Sequence, residues 1–204
     1  MIKTTTSTRE RILFVAADLF SRFGYTKVST REIACAAEIN AASLYYYFSS
    51  KADILKSLYD IYANERKKAC PDLGRLLQLS ETAPPHEVLM KAEFHYGKEI
   101  RNFMDKILIT AVREVNADPE SCFFIKENIL DPISFILRPL LQRMVERKKI
   151  KPLDIDTFIS VFSYYCFGAA ALNFSTFGNS PEQYQSDLAT LFTLICPLED
   201  RYFK

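Results

Sequence analysis

Residues 29–51 read STREIACAAEINAASLYYYFSSK, and this stretch predicts two short helices joined by a tight turn. Ser29 and Glu32 have the spacing of a capping box, in which each side chain satisfies a backbone donor at the helix start. Asn40 is a suitable cap for the second helix. Glu38 stands in the turn between the helices, and its side chain predicts a turn that needs no positive φ.

The second helix should have one inner and one outer face. Leu44 and Phe48 lie four residues apart, so their side chains point to the same neighbour. Tyr46 then lies opposite that inner face, and Tyr47 flanks it and should be partly packed. The sequence therefore predicts an anchored helix with an exposed aromatic surface.

A longer pattern surrounds this stretch. Its members are Gly24-Tyr25, Ser29-x-x-Glu32-Ile33-Ala34, Ile39-Asn40 and Leu44-Tyr45-Tyr46-Tyr47-Phe48-x-x-Lys51-x-x-Ile54-Leu55. The pattern resembles the helix-turn-helix of the TetR/AcrR family of bacterial transcription regulators, and the resemblance is strong over residues 8–58. Tyr47 departs from it, because histidine is common there, and Glu38 departs because glycine is common.

Composition and pattern together predict an all-α fold of about nine helices. The chain has 204 residues, of which 49% are hydrophobic and only five are glycine. The resemblance implies a three-helix DNA-binding domain at residues 1–50, with the helix-turn-helix at about 29–48. An effector-binding and dimerisation domain should occupy 51–204, with a fourth helix at about 51–68 as the connector.

Several helix boundaries follow from helical spacing and from punctuating residues. The first helix should begin near Ser7 and end at Gly24, burying the stripe Ile12, Ala16, Leu19, Phe20 and Phe23. A loop with one short turn at 76–79 should follow the fourth helix. Later helices are predicted at about 86–101, 103–115, 155–176 and from 180 to before Pro197, with breaks or kinks at Pro132 and Pro139.

The distribution of charge and of reactive side chains limits the classes of function that the sequence allows. Residues 1–68 hold 11 Lys and Arg against 7 Asp and Glu, whereas the other 136 residues hold 15 against 18. The basic N-terminal part is compatible with a phosphate-facing surface. The five cysteines are expected to be buried and reduced, and the two histidines give little support for a metal site. We expect no cofactor and no enzymatic activity, because no nucleophile–base pair or glycine-rich phosphate loop occurs.

One stretch has the composition of a membrane span, because residues 157–181 contain no charged side chain. Several serine, threonine and asparagine residues interrupt it, and no basic flank adjoins it. A helix buried in a core and a subunit interface explains the same composition. Without an apolar signal region at the N-terminus, we expect a cytoplasmic protein.

The resemblance makes residues 41–48 the helix that enters the major groove of DNA, in a two-fold dimer that reads half-sites roughly 34–36 Å apart. Ala41 and Ala42 offer only apolar contact, for example to a thymine methyl group. Polar base contacts must then come from Arg31, Asn40, Ser43, Tyr45 or Tyr46, with Arg31 suited to either a guanine or a phosphate. The resemblance implies phosphate contacts at Ser29, Thr30, Tyr45, Tyr47 and Lys51.

The C-terminal part is rich in aromatic residues, which form either a core or a pocket. If they line a pocket, the candidate residues are Phe94, His95, Phe103, Phe124, Phe162, Tyr165 and Asn173. The resemblance also implies pairing of the last two helices between subunits. The small residues of the apolar helix suit close backbone approach, either there or within the chain, and the interface candidates are Gly168, Ala169, Ala171 and Leu172.

The function implied is a ligand-responsive repressor that binds a palindromic DNA operator as a homodimer. A small apolar or aromatic effector would release it by shifting the fourth helix and the spacing of the two reading heads. Two alternatives remain open. One is a ligand-independent regulator or activator of the same family, and the other is a helical interaction protein without DNA binding.

Overall fold

The computed structural model describes residues 7–92, 98–173 and 190, with the side chains at 98, 99, 166 and 169–173 outside the description. Helices and no strands occur in these residues, so the all-α prediction is confirmed. The helices are α1 (Thr8–Phe23), α2 (Thr30–Ala36), α3 (Ala41–Tyr47), α4 (Lys51–Lys68), α5 (Leu73–Leu79), α6 (Pro85–Lys91), α7 (Lys98–Glu114), α8 (Pro119–Ile125), α9 (Asp131–Glu146) and α10 (Ile155–Asn173). A π-helical turn, Lys126–Leu130, joins α8 to α9.

The helices fall into two compact units. The first contains α1 to α4 together with α7 and α8, and the second contains α5, α6, the π-helical turn, α9 and α10. All of α4 lies in the first unit. The functional boundary predicted near residue 50 stays a prediction, since the first unit extends beyond the three N-terminal helices.

The first helix begins and ends where the sequence predicts. Ser7 Oγ accepts the N–H of Glu10, and the Glu10 carboxylate accepts the N–H of Ser7 at 2.8 Å. At the other end Gly24 has a φ of +90° and donates its N–H to the carbonyl of Phe20. Phe23 was predicted to be buried, and this is wrong, because its side chain is 50% exposed. It is the last residue of α1, where the chain turns away, and the guanidinium of Arg22 lies over its ring.

The helix-turn-helix is built from local hydrogen bonds. Ser29 and Glu32 form the predicted capping box, and Asn40 Oδ1 accepts the N–H of Ser43 at 2.7 Å. The prediction for Glu38 is wrong, because its φ is +55°. Its N–H bonds to the carbonyl of Cys35, and the next N–H reaches back five residues to Ala34. This is a Schellman motif, which places the residue after the C-cap in the left-handed region even when it is not glycine.

The core of the first unit lies between α1, α4, α7 and α8. The rings of Phe14 and Phe103 are 4.5 Å apart between α1 and α7, and Lys106 Nζ donates to Asp18 at 2.6 Å beside them. Tyr59 on α4 stacks on Phe124 of α8 at 4.1 Å. These contacts hold α7 against α1 and α4 against α8.

Three predicted boundaries differ from the structure. The short turn at 76–79 is a seven-residue helix, α5, because Asp72 caps it by accepting the N–H of Arg75. The predicted break at residue 102 does not exist, since the buried stripe of α7 continues through Phe103 and Met104. Pro139 lies inside α9, so no helix restarts there, and the kink predicted as the alternative stays a prediction. Residues 93–97 and the final predicted helix, apart from residue 190, lie outside the described residues.

The expectation of buried thiols is wrong for the three cysteines whose side chains are described. Cys35, Cys70 and Cys122 are exposed, because each lies on the outer side of its helix or just past its end. The side chain of Cys166 and all of Cys196 lie outside the description. Within the described ranges no helix is long and apolar enough to span a membrane. No cluster of three or more potential metal ligands occurs there either.

Candidate nucleic-acid interface

The two faces of α3 differ as the sequence predicts. Leu44 and Phe48 are fully buried beneath it. Above them, Tyr46 is 84% exposed, Tyr45 54% and Tyr47 37%, and the rings of Tyr46 and Tyr47 meet edge to face at 5.1 Å. The buried pair fixes the helix, so the aromatic ridge can face a partner without being needed by the core.

Several other predicted DNA contacts are at least partly accessible. Arg31 and Ala42 are exposed, and Ala41 and Ser43 are half-buried. Thr30, at the start of α2, lies close to Tyr45 on α3, with 3.2 Å between their hydroxyl oxygens. This hydrogen bond brings two predicted phosphate contacts from separate helices to one place.

Two predicted contact residues, Ser29 and Asn40, also cap helices. The Ser29 hydroxyl donates to Glu32 at 2.7 Å and accepts the Glu32 backbone N–H. Hydrogen bonds from the backbone N–H and then the hydroxyl of Ser29 lower the pKa of Glu32. Asn40 uses its side-chain oxygen to cap α3, which leaves its NH₂ group as the donor for a ligand. A DNA contact by either residue must therefore coexist with helix capping.

Lys51 points into the molecule. Its Nζ donates to the carbonyl oxygens of Tyr25 and Val28, both at 2.9 Å, and to that of Thr26 at 3.4 Å. It also lies 4.3 Å from the centre of the Tyr25 ring. An ammonium group has three N–H donors, and here all three have acceptors. The phosphate contact expected of Lys51 stays a prediction, and it would compete with these bonds.

Glu114, the last residue of α7, was not among the residues predicted to form the site. Its side chain is only 7% exposed. Oε1 accepts the N–H of Tyr25 at 3.0 Å, and Oε2 accepts the hydroxyl of Thr26 at 3.1 Å. The available signal was a carboxylate three residues after Ala111, on the buried face of an amphipathic helix, where an unpaired acid is costly. Its partner could not be read from the sequence, since 89 positions separate the two residues.

Two further contacts hold the N-terminal helices. The guanidinium of Arg9 lies 4.9 Å above the Phe48 ring and donates to Ser57 on α4. On the same helix, the hydroxyl of Tyr59 lies 2.7 Å from that of Ser121, which in turn donates to Asp118. Burial raises the pKa of Tyr59 to about 12. Together these bonds connect the middle of α4 to α1, through Ser57, and to α8, through Tyr59.

Most candidate ligand residues that the structure describes lie in packed surroundings. Phe103 contacts Phe14 and Phe124 contacts Tyr59 within the first unit. In the second unit Phe162 is buried and stacks on its neighbour one turn earlier on α10, and Tyr165 is half-buried. These contacts fit the core interpretation, and the pocket stays a prediction. The remaining candidates, Phe94, His95 and the side chain of Asn173, lie outside the description.

The interface candidates on α10 are described only at Gly168. It is half-buried, and a Cβ atom built on it would meet no atom within 4 Å. Val161 and Tyr164 lie on the same side of the helix and are exposed. The backbone at Gly168 is thus accessible to an approaching helix. The side chains of Ala169, Ala171 and Leu172 lie outside the description.

Comparisons with known proteins agree with this geometry. Residues 12–58 match the model of the bacterial regulatory proteins of the tetR family. A probable HTH-type transcriptional regulator, YttP, of Bacillus subtilis (strain 168) is 24% identical over 163 residues, covering 75% of this chain and 72% of that protein.

Solved structures share the fold. The TetR family regulator PfmR of Thermus thermophilus is 24% identical, with a TM-score of 0.66 over 98% of this chain and 99% of the other. The ketosteroid transcriptional regulator KstR2 of Mycobacterium tuberculosis is 19% identical, with a TM-score of 0.64 over 95% and 97%. A gamma-butyrolactone receptor is also 19% identical, with a TM-score of 0.64 over 96% and 91%.

The matched segment covers α1 to α3 and the start of α4, where the capped helices, the buried Leu44 and Phe48 and the exposed tyrosines lie. The relatives are transcriptional regulators and not enzymes. Residues 12–58 thus carry the DNA-binding helix-turn-helix of the tetR family of bacterial regulatory proteins, and the described helices have the all-α fold of TetR-family regulators.

Proposed function

We propose that this regulator is a cytoplasmic repressor that binds a palindromic operator as a homodimer and is released by a small apolar or aromatic effector. The observation that carries the proposal is the outer face of α3, where Tyr46 is 84% exposed above a helix anchored by buried residues. An exposed aromatic ridge on a rigid helix suits insertion into a major groove.

The proposed DNA contacts divide by chemistry. Arg31 and Tyr46 would meet base edges, where an arginine bonds guanine well, and Ala42 would meet a thymine methyl group. Thr30 and Tyr45, whose hydroxyls are 3.2 Å apart, would together hold one phosphate. Because these phosphate contacts carry no base information, they would set the register in which the other side chains read.

A second copy of this chain is the proposed partner along α10. Val161 and Tyr164 expose apolar and aromatic surface there, and Gly168 leaves room for a close backbone approach. Two-fold pairing of this face would bring two reading heads onto one operator. A palindromic site is then the expected target.

The effector class rests on the aromatic content of the chain and on its relatives. The solved structures with this fold include a ketosteroid regulator and a gamma-butyrolactone receptor, whose names point to small organic ligands of those proteins. An effector lowers DNA affinity only by its preference for the unbound conformation. A coupling of about 1–3 kcal/mol, or roughly 5–150-fold, is enough for induction.

The test is a fluorescence-anisotropy titration against DNA from immediately upstream of the gene that encodes the chain. It is run at two salt concentrations, with a scrambled DNA of equal length and with the variants Tyr46→Ala and Tyr46→Phe. We expect tight, salt-sensitive binding that prefers the upstream DNA. Tyr46→Ala should reduce the preference, and Tyr46→Phe should retain most of it if the ring makes the contact.

Size-exclusion chromatography with light scattering tests the dimer in the same buffer. A monomer at the concentrations that saturate the DNA would contradict the proposed stoichiometry. Absence of DNA binding even at low salt would contradict the repressor and favour a helical interaction protein.

A further inference from the structure

The loop between α1 and α2, residues 24–28, is held from two sides by opposite charges. It begins at Gly24, whose φ of +90° turns the chain out of α1. It ends at Val28, which is buried and directly precedes the capping residue of α2. Its position therefore fixes where α2 starts, and Thr30 and Arg31 follow within three residues.

The first anchor comes from α7. The Glu114 carboxylate accepts the N–H of Tyr25 and the hydroxyl of Thr26, at 3.0 and 3.1 Å. Both oxygens of the side chain are thus used by the loop, and Glu114 is nearly fully buried. Hydrogen bonds to an ionised acceptor are roughly twice as strong as neutral ones. Losing them would leave a partly buried backbone donor without its partner.

The second anchor comes from α4. Lys51 donates to the carbonyl oxygens of Tyr25, Thr26 and Val28. Tyr25 therefore gives its N–H to a carboxylate and its carbonyl to an ammonium group. The two anchors therefore fix both peptide units that flank the Cα atom of Tyr25.

We propose that Glu114 is a positioning residue for DNA recognition. From α7 it fixes loop 24–28 and, through that loop, the start of α2 and the placement of the side chains that read DNA. The inference rests on the proposed DNA binding and deepens it, because it places one determinant of operator affinity on a helix that has no predicted DNA contact. Glu114 acts through the loop and touches no DNA.

The competing explanation is that Glu114 only stabilises the fold. A matched control separates the two, because Lys106 on the same helix bonds to Asp18 on α1 without touching the loop. Lys106→Ala removes a charged contact of α7 with α1 and leaves the contacts of α7 with the loop in place. A purely structural role predicts that Glu114→Ala and Lys106→Ala affect DNA binding alike once both proteins are shown to be folded.

Three variants remove different numbers of the hydrogen bonds between Glu114 and the loop. Glu114→Ala removes both hydrogen bonds. Glu114→Gln keeps them, because its oxygen can accept from Tyr25 while its NH₂ group donates to the Thr26 hydroxyl. Thr26→Val removes one of the two bonds from the loop side and leaves the carboxylate in place.

The experiment measures the affinity of the full-length chain for the upstream DNA and for scrambled DNA, at two salt concentrations. Circular dichroism and thermal unfolding establish that each variant is folded at the titration temperature. We expect Glu114→Ala to weaken operator binding by about tenfold. Scrambled-DNA affinity and the salt slope should stay near wild type, because no phosphate contact is lost. Thr26→Val should lose about threefold, whereas Glu114→Gln and Lys106→Ala should stay near wild type.

The inference is overturned if folded Glu114→Ala binds the operator as tightly as Lys106→Ala, or if its losses on operator and scrambled DNA are equal. Should Glu114→Ala fail to fold, Thr26→Val decides, and an unchanged operator affinity in that variant overturns the inference. Failure of the proposed function is distinct, since in that case the wild-type chain itself shows no preference for the upstream DNA.

Discussion

The outer face of α3 and loop 24–28 differ in how many of their polar groups are hydrogen-bonded within the protein. The three tyrosines of the outer face, and Arg31 on α2, are exposed and make few bonds within the protein. In loop 24–28 the N–H of Tyr25 bonds to Glu114, and the carbonyl oxygens of Tyr25, Thr26 and Val28 bond to Lys51. The difference separates two tasks, since side chains that meet DNA must be free to form new bonds, whereas the segment that aims them must not move.

The comparison also distinguishes two cationic residues, Arg31 and Lys51, that the sequence predicts to be DNA contacts alike. Arg31 and Lys51 are both predicted DNA contacts, yet one is exposed and the other is surrounded by carbonyl oxygens. Substitutions at each should therefore differ in kind. One should change recognition without changing stability, and the other should do the reverse.

The largest expected effect lies in the core that both regions share. Leu44→Ala should lower the free energy of unfolding by about 3 kcal/mol, because it leaves a cavity under a fully buried position. Urea titration followed by circular dichroism measures it. Tyr46→Ala on the same helix is the control and should stay within about 0.5 kcal/mol of wild type. Similar losses in the two variants would contradict the assignment of inner and outer faces.

Lys51→Met should lower the free energy of unfolding by about 2 kcal/mol, because it keeps the aliphatic stem and removes the hydrogen bonds of Lys51 to three carbonyl groups. The salt slope of DNA binding should not change. Lys56→Met, an exposed lysine on the same helix, is the control for lost charge. A salt slope reduced by about one in Lys51→Met alone would restore the phosphate contact predicted from the sequence.

Arg31→Ala should weaken operator binding by about tenfold and leave thermal stability unchanged, because the side chain is exposed. Arg11→Ala, an exposed arginine on α1, controls for the lost positive charge. Anisotropy titrations give the ratio of the affinities for operator and scrambled DNA, which measures specificity. Equal losses on both DNAs would make Arg31 a phosphate contact.

Asp105 provides a contrast with Glu114 on the same helix, because burial raises the pKa of Asp105 to about 7 in spite of the nearby charge of Arg101. The folded state thus binds the proton more tightly than the unfolded state, whose pKa is near 3.8. Stability should fall as the pH rises from about 4 to 7 and stay low above that.

Asp105→Asn should remove this pH dependence and raise the melting temperature by roughly 4 °C at pH 8. At pH 3 the variant and wild type should melt together, since the acid is then neutral in both states. Thermal scans across this pH range make the measurement. A variant that is less stable than wild type at pH 8 would contradict the cost assigned to the ionised form.

The smallest expected effect is at the turn. Glu38→Gly should raise the free energy of unfolding by about 0.5 kcal/mol, because relief of the left-handed conformation outweighs the added freedom of the unfolded chain. Glu38→Ala retains the strained conformation and should give no gain. Equal stability of the glycine and alanine variants would mean that the turn carries no strain.

Local signals explain most of what the sequence predicted correctly. Capping boxes act over three residues, and the pair Leu44 and Phe48 is one helical turn apart, so both are visible in the sequence. Phe23 failed because the spacing rule ignores where a helix ends. Glu38 failed because the cost of a left-handed residue is small enough for the hydrogen bonds of a Schellman motif to outweigh it.

The loop anchors lie beyond such signals. Glu114 and Tyr25 are 89 positions apart, and nothing local to either residue names the other. Lys51 matched a family position for phosphate contact, but its rotamer is chosen by three carbonyl groups that only the folded loop brings together. Rules that use only neighbouring residues therefore predict α3 well, but they do not predict the contacts that fix loop 24–28.

The aromatic ridge on α3 also gives the protein a built-in optical signal. The chain has 11 tyrosines and no tryptophan, so no indole emission masks the phenols. Three of the tyrosines are consecutive on the outer face of α3, and Tyr46 is the most exposed of them. Stacking or hydrogen bonding of these rings against nucleic acid would quench their emission, so operator binding could be followed on the unlabelled protein.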